Sequence, residues 1–241
     1  GQPRLAGQRV RIVPPAYTGL PARYVQTLDI RAPMGSRIEW TLAFEPQTKS
    51  AALQLVGGQT LQLTSGEEGW SGALRLDIPS LYHVTAEGIR VMPTSHRLEP
   101  IMDEPPQVQV IEPASGLVTL QPGQRRWRVV FEARDDYVVD PMARLTLTTA
   151  IGEGENVSFT ERTRTVTGIG DPKRKRFVID LDLAGFGLQP GSDLVAQLTA
   201  ADTRSPKPQV VRGPGVILRL PAPVPPTADG MELMAKQTMP A

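Results

Sequence analysis

Apolar residues recur at every second position along most of this chain. Val10 and Ile12 alternate with Arg9 and Arg11, and Ile38, Trp40, Leu42 and Phe44 alternate with Arg37, Glu39, Thr41 and Ala43. Leu61 and Leu63 follow, then Leu74, Leu76 and Ile78. Later come Val108 and Val110, and then Trp127, Val129 and Phe131, with Arg126, Arg128, Val130 and Glu132 between them. Leu145 and Leu147, then Phe177, Ile179 and Leu181, then Leu194, Ala196, Leu198 and Ala200 continue the pattern, and Ile217 opens the last strand. A period of two places one face of an extended strand inside and the other in water. No 3.6-residue stripe precedes residue 228. Gly57-Gly58, Ser65-Gly66, Pro122-Gly123, Asp171-Pro172 and Pro190-Gly191 supply turns between the strands. The pattern predicts an all-β protein: two tandem immunoglobulin/fibronectin-like β-sandwiches with a short C-terminal tail or helix start.

Proline marks the joints. Glu104-Pro105-Pro106 and the run Pro221 to Pro226 are stiff and lack N–H donors, so neither enters a central strand. They divide the chain into a sandwich over 1–104, a second over 105–221, and a Pro-rich linker and tail over 222–241, where Asp229 is placed to cap a short helix. The two halves look alike. Each has a Pro/Gly turn leading into a strand with a tryptophan, Trp40 in one and Trp127 in the other, as core plugs. Tyr82 stands where such sandwiches carry a tyrosine whose hydroxyl bonds back to upstream backbone, whereas the second half has Asp193-Leu194 there.

Composition narrows the chemistry. The 241 residues include no cysteine, which excludes disulfides, thiol catalysis and Cys-based metal centres. Lys plus Arg is 26 against 25 for Asp plus Glu, so no global charge draws the chain to nucleic acid or a membrane. Aromatics at 5% form no stacking ladder for single-stranded nucleic acid. There is no run of about 18 apolar residues. The chain opens at Gly1 without Met, as a piece of a longer protein would.

Three stretches carry a resemblance. They are Val10 to Pro21 with its Pro14-Pro15-Ala16-Tyr17-Thr18-Gly19 string, Ala32 to Ile38, and Asp103-Glu104-Pro105-Pro106 with Ala133-Arg134-Asp135-Asp136-Tyr137. Over residues 5–221 the chain resembles an uncharacterised family of large, membrane-anchored bacterial envelope proteins. In that family membrane helices precede periplasmic immunoglobulin-like domains and a long helical region follows. Val138 departs from the glycine usual there. The resemblance implies a periplasmic location with an inner-membrane anchor in the full-length protein, and supplies no catalytic residue.

Chemistry-bearing residues are few. His83 reads as a strand histidine and His96 as part of a polar turn; neither sits in a nucleophile motif. Asp135, Asp136 and Asp140 form the densest acidic group and the one calcium candidate, although Arg134 and Arg144 flank it and no Asp-x-Asp-x-Asp-Gly loop is present. Lys173, Arg174, Lys175 and Arg176 are a basic run able to meet phosphate or anionic headgroups, or to solvate a hairpin tip and guard a strand edge. Tyr17 reads as a core residue of a turn or as a ligand platform. Trp70, in a turn-rich context, and Tyr24 are the aromatics placed for sugar stacking.

The expected function is therefore a non-enzymatic extracytoplasmic spacer and protein-interaction module with no cofactor. A carbohydrate- or peptidoglycan-binding module and an accessory domain of an envelope hydrolase are the alternatives. The expected partner is an envelope protein, with peptidoglycan as a second possibility and no nucleic acid. Membrane contact would come only through segments outside this chain.

Overall fold

A computed structural model describes residues 1–152 and 154–223, so the helix start expected within 228–241 lies outside the described residues. The chain forms two compact units. The first comprises Gly1–Pro105 with the segments Asp135–Val138 and Asp202–Gln209; the second comprises Pro106–Arg134, Val139–Ala201 and the chain from Val210.

The first unit holds β1 (Arg4–Val13), β2 (Arg23–Val25), β3 (Ile30–Pro33), β4 (Ser36–Glu45), β5 (Ala51–Leu55), β6 (Thr60–Gln62), β7 (Thr64–Gly66), β8 (Gly69–Leu76), β9 (Ser80–Ala86), β10 (Ile89–Arg90) and β11 (His96–Ile101). One sheet runs β2-β1-β4-β8-β7, and the other runs β3-β11-β9-β5-β6 with β10 beside β9. The second unit holds β12 (Gln107–Glu112), β13 (Leu117–Thr119), β14 (Arg126–Arg134), β15 (Met142–Ile151), β16 (Ser158–Thr167), β17 (Ile169–Asp171), β18 (Arg174–Asp182), β19 (Asp193–Ala201) and β20 (Val210–Arg219). Its sheets run β12-β14-β18-β17 and β13-β20-β19-β15-β16.

The two units repeat one wiring. In each, the first strand (β1 or β12) pairs antiparallel with the tryptophan strand (β4 or β14). A short strand then crosses to the opposite sheet and runs parallel to the last strand, β3 with β11 and β13 with β20. The fold is thus a tandem of immunoglobulin/fibronectin-like β-sandwiches, as the alternation predicts. Among the described residues no helix is long and apolar enough to cross a membrane.

Each core fills from alternate positions. Val10, Ile12, Ile38, Trp40, Leu42 and Phe44 face Ile30, Leu53, Tyr82, Val84 and Leu98 in the first unit. Trp127, Val129, Phe131, Phe177, Ile179 and Leu181 face Leu145, Leu147, Leu194, Leu198 and Leu218 in the second. At the centre of the first core Trp40 Nε1 donates to the Tyr82 hydroxyl at 3.0 Å, and that hydroxyl donates to the Leu28 carbonyl. The rings meet edge to face, with centroids 5.4 Å apart. The hydroxyl therefore bonds upstream backbone from across the core, 54 residues away, rather than within the β8–β9 turn.

Three local expectations change. Ile78 is 72% exposed, because β8 ends at Leu76 and Pro79 stops the alternation. His96 is no turn residue: it opens β11, buried against Tyr82. The last strand begins at Val210, not at Ile217. Gly213-Pro214-Gly215 hides it in the sequence, and a register shift opposite Gln197–Thr199 accommodates the proline. Gly213 is required there, since a Cβ would sit 2.5 Å from Val108.

Tyr82→Phe keeps the ring and strands two buried partners, the Trp40 N–H and the Leu28 carbonyl. It should cost about 1–3 kcal/mol. Urea unfolding should show a lower midpoint at unchanged slope; an unshifted midpoint would remove the hydroxyl from the account of stability.

Candidate functional site

Buried charge concentrates where strands end. Asp103 follows β11, Asp135 follows β14 and Asp202 follows β19, each just past the last residue that alternation commits to a core. In the first unit these three come together, with one carboxylate oxygen from each within 4.8 Å of the others. Asp103 is 6% exposed and Asp202 2%.

Asp103, Asp135 and Asp136 are each held through one oxygen, and Asp202 through both. Asp103 Oδ2 accepts from Gln209 Nε2 at 3.1 Å. Asp135 Oδ2 accepts from the N–H groups of Tyr137 and Val138 at 2.9 and 3.0 Å. Asp136 Oδ2 accepts from the Glu104 N–H at 3.2 Å. Asp202 Oδ1 accepts from the N–H groups of Arg204 and Gln209, and its Oδ2 from Gln209 Nε2. The opposite oxygens of Asp103, Asp135 and Asp136 are buried without a partner. Among the described residues no ion pair involves any of the four. Burial, then the neighbouring carboxyls of Asp136 and Asp202, push Asp103 well above the usual carboxylate range. Burial, with Asp136 and Asp202 adding to it, raises Asp135 likewise. Such a group can share protons or hold a cation.

Tyr17 lies beside the group as a structural residue. The 3-10 turn Ala16–Thr18 is closed by Gly19 at φ 67°, and the Tyr17 hydroxyl donates to the Met34 carbonyl at 2.7 Å. Its ring stands edge-on to Tyr137 at 6.0 Å. Burial, then the Asp103 carboxylate, pushes its hydroxyl up to about 12. Tyr17 is thus buried rather than displayed as a platform.

The structure brings Asp135 and Asp136 together but not Asp140, whose Oδ1 accepts from the Met142 N–H in a turn of its own. Asp103, Asp202 and Gln209 escaped sequence reasoning. The available signal was position, an acid one or two residues beyond a strand, with three such residues separated by 32 and 67 residues of chain.

Trp70 and Tyr24 do not share a surface. Trp70 pairs with Leu42 on the core side of its sheet and packs against that core. Tyr24 pairs with Arg11 on the outer face, where it is 60% exposed and the Arg9 guanidinium covers its ring at 5.0 Å. A two-ring sugar platform cannot form from opposite faces. A depression of about 720 Å³ is lined by Gly1, Pro46, Glu87 and Arg90, among others, and its lining includes none of the four aspartates.

The basic run divides. Lys173 lies in the β17–β18 turn, and Lys175 Nζ donates to the Gly170 carbonyl at 2.8 Å. Arg174 and Arg176 turn to Glu132 on the neighbouring strand at 3.0 and 3.2 Å, joined by Arg134 at 2.7 Å and Gln109 at 3.2 Å. Glu132 has the outward parity its spacing predicts, yet it is fully buried because these side chains cover it. Burial alone would raise its carboxyl, but the three guanidiniums hold it down at about 2.

No protein-family profile and no curated protein sequence matches the chain. Solved structures similar to it include the fibronectin(III)-like modules of Clostridium thermocellum CbhA, at 10% identity over 80% of this chain and 88% of that one, with a TM-score of 0.27. A DUF3823 family protein from Bacteroides ovatus is similar at 10% identity over 71% and 88%, TM-score 0.28. The enterotoxigenic E. coli CFA/I adhesin CfaE is similar at 10% identity over 90% and 88%, TM-score 0.29. At these scores the likeness carries no argument, and the sandwich rests on strand order and register.

Glu132→Gln should destabilise the protein by about 1–3 kcal/mol at neutral pH, a figure discounted because the three arginines are half-exposed. A depressed carboxyl stabilises above its unfolded value and loses that contribution as pH falls. The gap between wild type and variant in denaturant unfolding should therefore narrow from about pH 4.5 down to about 2. A gap constant over that window would contradict the assignment.

Proposed function

We propose that this chain is a non-enzymatic, extracytoplasmic region serving as spacer and protein-interaction surface of a larger membrane-anchored envelope protein. The Pro14 to Gly19 string and its companions support the location. The observation that carries the interaction is strand β16. It pairs with β15 along all ten residues on one side and, among the described residues, ends its sheet on the other. A free edge of this length offers backbone donors and acceptors for an added strand.

The edge is also guarded. Arg162 and Arg164 pair with Leu147 and Leu145 and so stand on the core-side face of β16, at its margin. Inward-facing charges of this kind oppose indiscriminate sheet-to-sheet aggregation. They favour instead an extended acidic segment whose carboxylates meet the two guanidiniums. Spacer and contact roles combine readily in stiff paired sheets. With Tyr24 and Trp70 on opposite faces, a sugar-binding reading gains no support.

A photo-reactive residue placed at Thr163 in the full-length protein should cross-link an envelope protein in living cells. Charge reversal at Arg162 and Arg164 should lower that yield about tenfold. The same residue placed on the opposite-edge strand β13 should give no such adduct. Absence of any adduct from β16, or an equal yield after charge reversal, would end the reading, as would finding the region in the cytoplasm.

A further inference from the structure

We propose that Asp103, Asp135 and Asp202, with Asp136 beside them, form a calcium site. Two ligands on one calcium ion, each 2.3–2.6 Å from it, lie at most about 5 Å apart. The three carboxylate oxygens, one from each residue, all lie within 4.8 Å of one another and so inside that limit. All donors are hard oxygens, the set calcium prefers, with no imidazole or thiolate to favour zinc or copper.

Proximity of acids alone would not make a site; the unpartnered oxygens do. Asp103 is more than nine-tenths buried, and its Oδ1 has no hydrogen-bond partner. Asp135 Oδ1 and Asp136 Oδ1 are orphaned in the same way. An unsatisfied buried carboxylate oxygen is costly, and these three belong to neighbouring carboxyls that no ion pair among the described residues offsets, which calls for a cation. The donors on the far oxygens act as an orienting shell. Gln209 Nε2 bridges Asp103 and Asp202, and the Tyr137 and Val138 N–H groups fix Asp135. Asp103, Asp135 and Asp136 each thereby keep one oxygen held and the other open, whereas Asp202 has both oxygens held. Water and backbone carbonyls would complete the six to eight ligands calcium takes. Bound there, the ion would tie the segments 135–138 and 202–209 to the chain following β11.

The test uses the 241-residue chain after chelator treatment. Titration with CaCl₂ should give one site with Kd below about 1 mM, and Tm should rise by about 5–11 °C at a hundredfold excess over Kd. Asp103→Asn and Asp202→Asn should weaken binding at least tenfold, whereas Asp140→Asn, outside the group, should leave it unchanged. Terbium provides a reading that needs no variant. Excitation of tyrosine should sensitise Tb³⁺ emission through Tyr17 and Tyr137, and CaCl₂ should quench it by displacement. No calorimetric binding, or Tb³⁺ emission that calcium fails to displace, would overturn the proposal. An equal response to MgCl₂ would overturn it too. So would an Asp103→Asn protein that is more stable than wild type and insensitive to calcium, the behaviour of carboxyls that merely share protons.

Discussion

A strand that crosses a core can bury only every second side chain, and each buried position must be apolar or fully paired. Both sandwiches follow from that constraint. It brings Trp40 and Tyr82 face to edge in one core and lines up Trp127, Val129 and Phe131 in the other. It also pushes polar chemistry to two places, the outward positions of a strand and the one or two residues past its end. Glu132 occupies the first and the aspartates the second.

These two settings give buried carboxyls opposite characters. Glu132 is completely covered, yet it stays ionised because Arg134, Arg174 and Arg176 surround it. Asp103 is nearly as covered, but its neighbours are other carboxyls and it is held toward the neutral form. Burial is common to both, so the partners set the sign. The basic hairpin illustrates the same economy of charge. Half of what reads as a free cationic run completes a buried acid.

The carboxylate group and the β16 edge have different consequences. The first acts inward and fixes loops, whereas the second acts outward and presents unpaired backbone. In the proposed spacer and contact role, a stiff interior would be combined with one accessible margin, and the guarded edge would limit that margin to a charged match.

The alternation alone determined the all-β class, most strand positions, the two tryptophan plugs and the outward parity of Glu132, because a period of two leaves little freedom once one face must be dry. The sequence placed the start of β20 at Ile217 rather than Val210, because Gly213-Pro214-Gly215 interrupts the pattern and a bulge is settled by the partner strand rather than by local preference. It placed Asp135 and Asp136 in one group but joined them to Asp140, the nearer neighbour along the chain. Only the tertiary structure selected Asp103 and Asp202 instead and put Tyr24 and Trp70 on opposite faces. Only it, too, turned Arg174 and Arg176 onto Glu132. Convergence of residues far apart in sequence depends on how sheets pair and loops return, and no local spacing encodes that distance.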